Sequence, residues 1–278
     1  MSKLVYEYAA TACSPACRLQ RIGTGNQVAK ALTRSGVPTP PIEGDRLLTR
    51  EVARKRVGPH IYSIEQVRCM LEKARGYSPF RAKLRPAILY TMFVLAYCAG
   101  LRLGEIVRLE IQDVDLREGA IEVRNTKFFK SRRLPLSASA LAALREYLET
   151  RRRSGASQEP EARLFVHDGR PYSIVTVGQL VKRVLCLAGV GKSTGHGGPR
   201  FHDLRHTFVV HRMMEWYRQG INPQSKLPYL AAYLGHRDIH STLVYLTITQ
   251  ELLQHANSRF RSAEASVLAA IKEDSHDG

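Results

Sequence analysis

Two histidines and an arginine lie within five positions of the segment "FHDLRHTFVV", residues 201–210. Arg205 lies three positions after His202, and His206 lies four positions after His202. On a helix these spacings place the three side chains on one face. Imidazole groups bind metals or transfer protons near neutral pH, and guanidinium groups bind anions. This concentration of cationic groups at the start of an apolar helix marks a candidate site.

Two familiar kinds of site fail on spacing. His202 and His206 share a helix face as zinc ligands would, but Asp203 rather than glutamate follows His202, and no third ligand is evident. The segment "GVGKST", 189–194, resembles a phosphate-binding loop, yet the first glycine of that motif falls at Cys186. The preceding "VGQLVKRVLCLA" also predicts a helix where the motif needs a strand. We therefore expect neither a metallohydrolase nor a nucleoside triphosphatase, and we expect no metal and no cofactor.

The chain is strongly basic. Its 278 residues include 42 Lys and Arg against 25 Asp and Glu, a formal net charge of +17. A globular protein with this excess is typical of one that binds a polyanion, first of all nucleic acid. We expect no membrane association, because the longest apolar run, residues 87–100, is too short to span a bilayer. Five dispersed cysteines indicate a reducing cytoplasm.

Helical patterns dominate the elements that must position these residues. Ser63 and Gln66 form a capping box that opens a helix closed by Gly76. The arms "AIEVRN" and "RRLPLS" flank a basic centre within 120–137 and predict a hairpin or small sheet edge. We therefore predict a mainly α chain with one small β-hairpin or sheet, an α+β fold. The further predicted helices cover 86–99, a short stretch from 101, 139–155, about 176–187, and the segments that begin near 202 and 226.

Five separated segments share a further property. "CAGLRLGEI", "TKFFKSRRLPL", "HDLRH", "YLGH" and the Tyr245 segment "STLVYLT" resemble, in order and nearly in spacing, the successive catalytic boxes of the tyrosine recombinases, or phage integrase family. The resemblance covers about residues 60–260 and looks closest to the integrases carried by transposons and plasmids. It implies a tyrosine-recombinase catalytic domain.

The resemblance also implies a site. The catalytic residues would be Arg102, Lys127, His202, Arg205, His236 and the nucleophile Tyr245. Supporting residues would be Glu105, which can pair with Arg102, and His206, which would pack beneath the site by hydrogen bonding. Residues expected to contact DNA are Lys130, Arg132, Arg133 and Arg200.

The chemistry of these groups fits strand cleavage. A phosphodiester under attack spreads negative charge over its non-bridging oxygens, which Arg102 and Arg205 can bind through paired donors. Tyrosine has a pKa of about 10, so Tyr245 needs a base or the electric field of nearby positive charges to become a nucleophile at neutral pH. Either His202 or His236 can assist the departure of its proton. Lys127 can protonate the leaving 5′-hydroxyl. The 3′-phosphotyrosine conserves the bond energy, so rejoining requires neither ATP nor metal.

The expected organisation follows. Residues 1–58 hold ten basic against four acidic residues and a Pro/Gly-rich connector, so we expect a short, truncated N-terminal DNA-binding remnant with a basic linker. A catalytic domain over 59–262 and a C-terminal helical tail over 263–278 would follow. The expected partners are double-stranded DNA, further copies in a tetramer on DNA, and a helper recombinase, in the bacterial cytoplasm at the nucleoid.

Two alternatives to a recombinase stay open. The first is a non-catalytic DNA-binding remnant of a mobile-element integrase, which the positive charge explains equally well. The second is a relative that relaxes supercoils by nicking and resealing, which shares the chemistry and differs mainly in assembly.

Overall fold

The structure is a computed structural model. It describes residues 2–12, 14–54, 59–77, 83–124, 131–191, 198–235, 242, 243, 245, 246, 248, 249 and 254. Contacts between these residues divide the chain into two compact units, Met1–Gly58 and Pro59–Gly278.

The first unit is helical, which the sequence analysis did not predict. Its helices are α1 (Ser2–Ala10), α2 (Pro15–Arg34) and α3 (Arg46–Arg54). Ser14 caps α2 by accepting a hydrogen bond from the Cys17 backbone N–H, and Pro15 occupies its first turn. The unit buries few side chains, because α2 is polar over most of its surface and lacks an apolar stripe. Its small core consists of Ala9, Ile22, Ala29, Ile42 and Leu48.

The second unit begins with the helix that the capping box predicted. This helix, α4, covers Ile64–Arg75. Ser63 Oγ accepts a hydrogen bond from the Gln66 backbone N–H at 3.2 Å, and Gln66 Oε1 accepts one from the Ser63 N–H at 3.0 Å. Gly76 caps the other end, so this prediction is confirmed.

A buried helix, α5, covers Arg85–Cys98 and contacts four other helices of this unit. Its apolar residues point in all directions, as expected of a helix at the centre of a core. The chain then turns through Gly100, whose φ of +61° favours glycine, and enters α6 (Leu103–Arg108). A β-carbon at position 100 would lie 2.7 Å from Phe208 Cδ1, so glycine also permits close packing here.

The predicted hairpin is confirmed as part of a three-stranded antiparallel sheet in the order β1-β2-β3. Its strands are β1 (Val114–Asp115), β2 (Ala120–Val123) and β3 (Arg132–Pro135), preceded by a 3-10 turn at Ile111–Asp113. In the β2–β3 register Val123 faces Arg132. The centre of the hairpin, 125–130, lies outside the described residues. A separate two-stranded ribbon pairs β4 (Val166–His167) with β5 (Arg170–Pro171).

The other described helices complete the second unit. They are α7 (Ala138–Arg153), α8 (Ile174–Leu187), α9 (His202–Arg218) and α10 (Pro223–Leu234). The described positions from 242 to 249 are helical as well. Tyr245 packs in a core cluster with residues of α9 and α10, including Val209 and Leu234. The predicted fold class, mainly helical with a small sheet, is confirmed. Within the described part of the chain, no helix combines the length and apolar character needed to cross a bilayer.

Candidate active site

Glu105 joins the start of α6 to the residue before it. Its Oε1 accepts a hydrogen bond from Arg102 Nη1 at 2.9 Å, and its Oε2 accepts one from the Arg102 backbone N–H at 3.0 Å. The carboxylate is buried. Because the two residues are three positions apart, these bonds fix the first turn of α6 and hold Arg102 at its entrance.

Two more arginines approach the same carboxylate. Arg132 donates from Nη1 and Nη2 to Oε1 and Oε2, at 3.2 and 3.0 Å. Arg205 Nη1 lies 4.0 Å from Oε2. Burial by itself raises the pKa of Glu105, but the hydrogen bonds and charges of Arg132 and Arg102 outweigh it and hold the pKa below its usual value. Glu105 is therefore ionised at neutral pH.

Arg205 is buried against two backbone carbonyls. Its Nη1 donates to Gly100 O and its Nη2 to Leu234 O, both at 2.6 Å. Burial, followed by the charge of Arg102, lowers the pKa of Arg205 to about 9, which leaves the guanidinium charged at neutral pH. Arg102 Nη1 is 3.5 Å from the same Leu234 oxygen, so the two arginines converge at the end of α10.

The start of α9 is fixed by residues on both sides of it. Asp203 is buried and accepts a hydrogen bond from the Arg200 backbone N–H at 2.8 Å. Tyr62 donates through its hydroxyl to Arg200 O at 2.8 Å, and its backbone N–H donates to Thr207 Oγ1 at 3.0 Å. These bonds hold the first turn of α9, which carries His202 and Arg205.

His206 connects His202 to Tyr245. The rings of His202 and His206 meet edge to face, with centroids 4.9 Å apart. On the other side, His206 Nδ1 lies 2.7 Å from Tyr245 Oη, a hydrogen bond. Tyr245 is 2% exposed. The α9 face therefore leads from an exposed histidine through a half-buried one to the buried phenol.

Burial and nearby charges set the protonation states of His202, His206 and Tyr245. Burial, and then the charge of His202, lowers the pKa of His206 to about 4, so this imidazole is neutral at physiological pH. Burial raises the pKa of Tyr245, whereas the charges of Arg205 and Arg102 act in the opposite direction. Desolvation, with the charges of Arg205 and Arg102, also lowers the pKa of His202. The side chains of this site therefore lie close enough together for their charges to shift one another's pKa values. They are the Tyr245 phenol, the His202 and His206 imidazoles, and the Arg102 and Arg205 guanidiniums.

The residues expected to contact DNA differ in their exposure. Arg133 and Arg200 are exposed and pair with Asp115 and Asp203. Arg132, in contrast, turns its guanidinium toward Glu105, and 13% of its side chain is exposed.

Three residues of the expected site, Lys127, Lys130 and His236, lie outside the described residues. The described ends of the hairpin around Lys127 are both held by carboxylates. Arg124 Nε lies 2.7 Å from Asp113 Oδ1, and Arg132 binds Glu105.

Sequence reasoning missed the backbone part of the site. The carbonyls of Gly100 and Leu234, which hold Arg205, have no signature in residue type. The available signals were Gly100 and Gly235, glycines with positive φ just after α5 and α10. Within the described ranges, no three His, Cys, Asp or Glu side chains gather so as to hold a metal ion.

Known proteins resemble this chain over most of its length. The model of the phage integrase family matches residues 65–252. Protein y4rB of Sinorhizobium fredii, which carries a provisional integrase/recombinase name, is 37% identical over 212 residues, 74% of this chain and 66% of its own length. The tyrosine recombinase XerA of Thermococcus kodakarensis is 31% identical over 226 residues, 80% of this chain and 69% of its own length. The match to y4rB, at 66% of its length, spans slightly less than two thirds of that protein.

Solved structures share the fold. A crystal structure of XerA recombinase superimposes with a TM-score of 0.56 at 21% identity, over 94% of this chain and 84% of that chain. The Tn1549 transposon integrase, solved with transposon right end DNA, gives a TM-score of 0.63 at 18% identity, over 92% of this chain and 83% of that one. With a family model that matches most of its length and a relative above 30% identity, this chain belongs to the phage integrase family of tyrosine recombinases.

Proposed function

We propose that this chain is a site-specific DNA recombinase that cleaves and rejoins DNA strands through a covalent bond from Tyr245 to a 3′-phosphate. One observation carries the proposal: Arg102 and Arg205 converge at the Leu234 carbonyl, and their charges act on the Tyr245 hydroxyl. A phenol subject to the field of two guanidinium groups suits attack on a phosphodiester.

The cleavage step balances without a cofactor. Tyr245 Oη attacks the scissile phosphorus and loses its proton to a nearby base, while the bond from phosphorus to the 5′-oxygen breaks. The 5′-oxygen takes up a proton and leaves as a hydroxyl, and the 3′-phosphate stays on the enzyme. Attack by a 5′-hydroxyl of another strand reverses the step and frees Tyr245. The number of phosphate ester bonds is unchanged, so no external energy source is required.

Each described residue has a role that matches its surroundings. Arg102 and Arg205 bind the non-bridging oxygens, and losing one such donor costs about 10²- to 10³-fold in rate. Glu105 keeps the arginines in place. His202 stands exposed at the start of α9, where it can bind a phosphate oxygen or accept the proton of Tyr245. From the family resemblance, Lys127 would protonate the 5′-oxygen, and His236 is the other candidate for the tyrosine proton.

The expected partner is double-stranded DNA. The net charge of +17 supports this, because phosphate contacts and counterion release dominate affinity for DNA. Solved relatives support it as well, since structures of XerH and of the Tn1549 integrase contain DNA. The basic unit of residues 1–58 would add phosphate contacts, and the segment 263–278 would form a C-terminal tail. Assembly as a tetramer on DNA, a helper recombinase and a place at the bacterial nucleoid complete the proposal.

The experiment is a covalent capture. The protein is incubated with a library of nicked duplexes that carry a randomised segment, in which a cleaved strand diffuses away and cannot be rejoined. Adducts are separated on a denaturing gel and their DNA is sequenced, which also identifies the preferred site. We expect an adduct with wild-type protein and none with Tyr245→Phe. DNA retardation on a native gel without any adduct would instead favour the non-catalytic DNA-binding protein.

A further inference from the structure

Arg132 and Arg133 are consecutive residues of β3 with opposite environments. Arg133 is paired with Asp115 at the surface, where 58% of its side chain is exposed. The Arg132 side chain, at 13% exposure, points into the protein. Successive residues of a strand face opposite sides, so the two arginines are a natural matched pair.

Arg132 bridges two parts of the site. Its Nη1 and Nη2 each bind one oxygen of Glu105, the two-point geometry that a planar guanidinium gives with a carboxylate. Its Nε donates to Tyr233 O at 2.9 Å, in the last turn of α10. One side chain therefore ties β3 and Glu105 to the helix end that also holds Arg205.

We propose that Arg132 is a positioning residue for strand cleavage: it orients Glu105, and through it Arg102 and Arg205, and it fixes the end of α10 directly before His236. The inference rests on the proposed recombinase function. It assigns Arg132 a role different from that of a DNA phosphate contact.

The charge balance explains why this role needs arginine. Glu105 is buried among Arg102, Arg132 and Arg205, and only Arg132 binds both of its oxygens with side-chain donors among the contacts of the described residues. Without Arg132, the carboxylate would draw Arg102 or Arg205 into its place, away from the phosphate. Lysine would restore the charge but not the two-point fit or the third bond to Tyr233 O.

Gly235 places a second constraint on Arg132. This residue caps α10 with a φ of +66° and precedes His236. A β-carbon there would lie 2.9 Å from Arg132 Nη1 and 3.1 Å from its Cζ. The guanidinium thus lies against the helix cap, and a shift of Arg132 would displace the end of α10.

The test separates cleavage from binding. For Arg132→Lys, Arg132→Gln and Arg133→Gln, the cleavage rate at saturating DNA is measured with the nicked duplex selected above. The Kd for the intact duplex is measured over a range of salt concentrations. We expect both Arg132 variants to cleave about 10- to 100-fold more slowly, the loss typical of groups that orient a site, with a Kd within about 3-fold of wild type. Arg133→Gln is expected to raise the Kd and to reduce the salt slope by about one.

The lysine variant decides between the two roles. A phosphate contact needs mainly the positive charge, so Arg132→Lys would then cleave as fast as wild type once DNA is saturating. That result overturns the proposal, as does a salt slope reduced by Arg132→Gln to the same extent as by Arg133→Gln. Because Arg132→Lys keeps the charge, it also provides a folded variant if Arg132→Gln fails to fold.

A second measurement is independent of cleavage. The urea midpoints of Arg132→Gln, Glu105→Gln and the double variant are compared with that of wild type. We expect the double variant to shift the midpoint by clearly less than the sum of the single shifts, because the two substitutions remove one interaction. Additive shifts would overturn the Arg132 proposal whether or not the protein cleaves DNA. Coupled shifts in a protein that forms no adduct would contradict only the recombinase function.

Discussion

The Tyr245 hydroxyl lies 2.7 Å from His206 Nδ1, within hydrogen-bonding distance. The pKa of His206 is lowered to about 4, whereas burial raises that of Tyr245 above its usual value. The phenol thus holds its proton much more tightly than this imidazole would. His206 therefore accepts a hydrogen bond from a neutral phenol. In the proposed cleavage reaction, Tyr245 therefore gives up its proton to a base other than His206.

The first prediction concerns this hydrogen bond. A double-mutant cycle of Tyr245→Phe and His206→Leu is expected to give a coupling free energy of about 1 kcal/mol in urea unfolding. Each single variant leaves the other polar group buried without its partner, and the double variant removes both. Single effects that add to the double effect would show that the two side chains do not interact in solution.

The chain offers a matched control for the pair. Tyr97 Oη and His211 Nδ1 form the same kind of hydrogen bond at 3.0 Å, between α5 and the middle of α9. Tyr97→Phe is expected to destabilise the protein by about as much as Tyr245→Phe, about 1 kcal/mol, while adduct formation continues. Loss of the adduct in Tyr97→Phe would mean that the covalent assay reports stability rather than the nucleophile.

The second prediction concerns pH. The pKa of His206 is about 4 in the folded protein, against an ordinary value near 6.5. The neutral ring is thus favoured on folding, and the resulting stability is complete above pH 6.5 and is lost as the pH falls toward 4. The size of this loss is about 2–3 kcal/mol. We expect His206→Gln, whose amide can still accept from Tyr245, to flatten the dependence of the unfolding free energy over this range.

The comparison between variants isolates His206 from its neighbours. The pKa values of His202 and His211 are also lowered, so the wild-type slope contains their contributions. Both remain in His206→Gln, and the difference between the two curves belongs to position 206. Parallel curves between pH 7 and pH 4 would contradict the buried, neutral His206.

The sequence predicted most of the second unit, because its local signals agree with its packing. The Ser63–Gln66 capping box opens α4, and the two arms of the hairpin pair as β2 and β3. The helices of residues 2–54 were not predicted, since α2 buries only Ile22 and Ala29 and shows no apolar stripe. The α2 helix is stabilised by its contacts with α1 and α3 rather than by an amphipathic pattern in its own sequence.

The site shows the same division. The five sequence boxes, through their resemblance to the family, implied Arg102, His202, Arg205 and Tyr245 as site residues, and the structure brings these four to one region. They did not reveal the hydrogen bond from Tyr245 to His206, because the sequence does not show which group a histidine ring nitrogen will bind. The opposite directions of Arg132 and Arg133 follow from strand alternation, a signal that was present in the sequence but masked by the similarity of the two residues.

The third prediction concerns Arg205. Arg205→Ala is expected to reduce the cleavage rate by about 10³-fold, because it removes a guanidinium from the transition state and leaves two carbonyls without their donor. Duplex affinity on a native gel should change by less than about 3-fold, since the buried side chain offers little surface to the DNA backbone. A parallel loss of affinity and cleavage would assign Arg205 to ground-state binding.

The fourth prediction uses two glycines with the same φ. Gly100 and Gly119 both adopt +61°, but a β-carbon at position 100 would lie 2.7 Å from Phe208 Cδ1, while one at position 119 meets Leu141 at an ordinary 3.5 Å. Alanine at either position strains the backbone by about 1 kcal/mol. At position 100 alanine also crowds the core, which lowers the free energy of unfolding by a further 1–3 kcal/mol or so.

Because Gly100 O accepts a hydrogen bond from Arg205, only Gly100→Ala is expected to slow adduct formation. Adduct formation is measured with the selected duplex, and urea unfolding is measured for both variants. Equal slowing by Gly119→Ala would show that general destabilisation, and not the placement of Arg205, accounts for the effect.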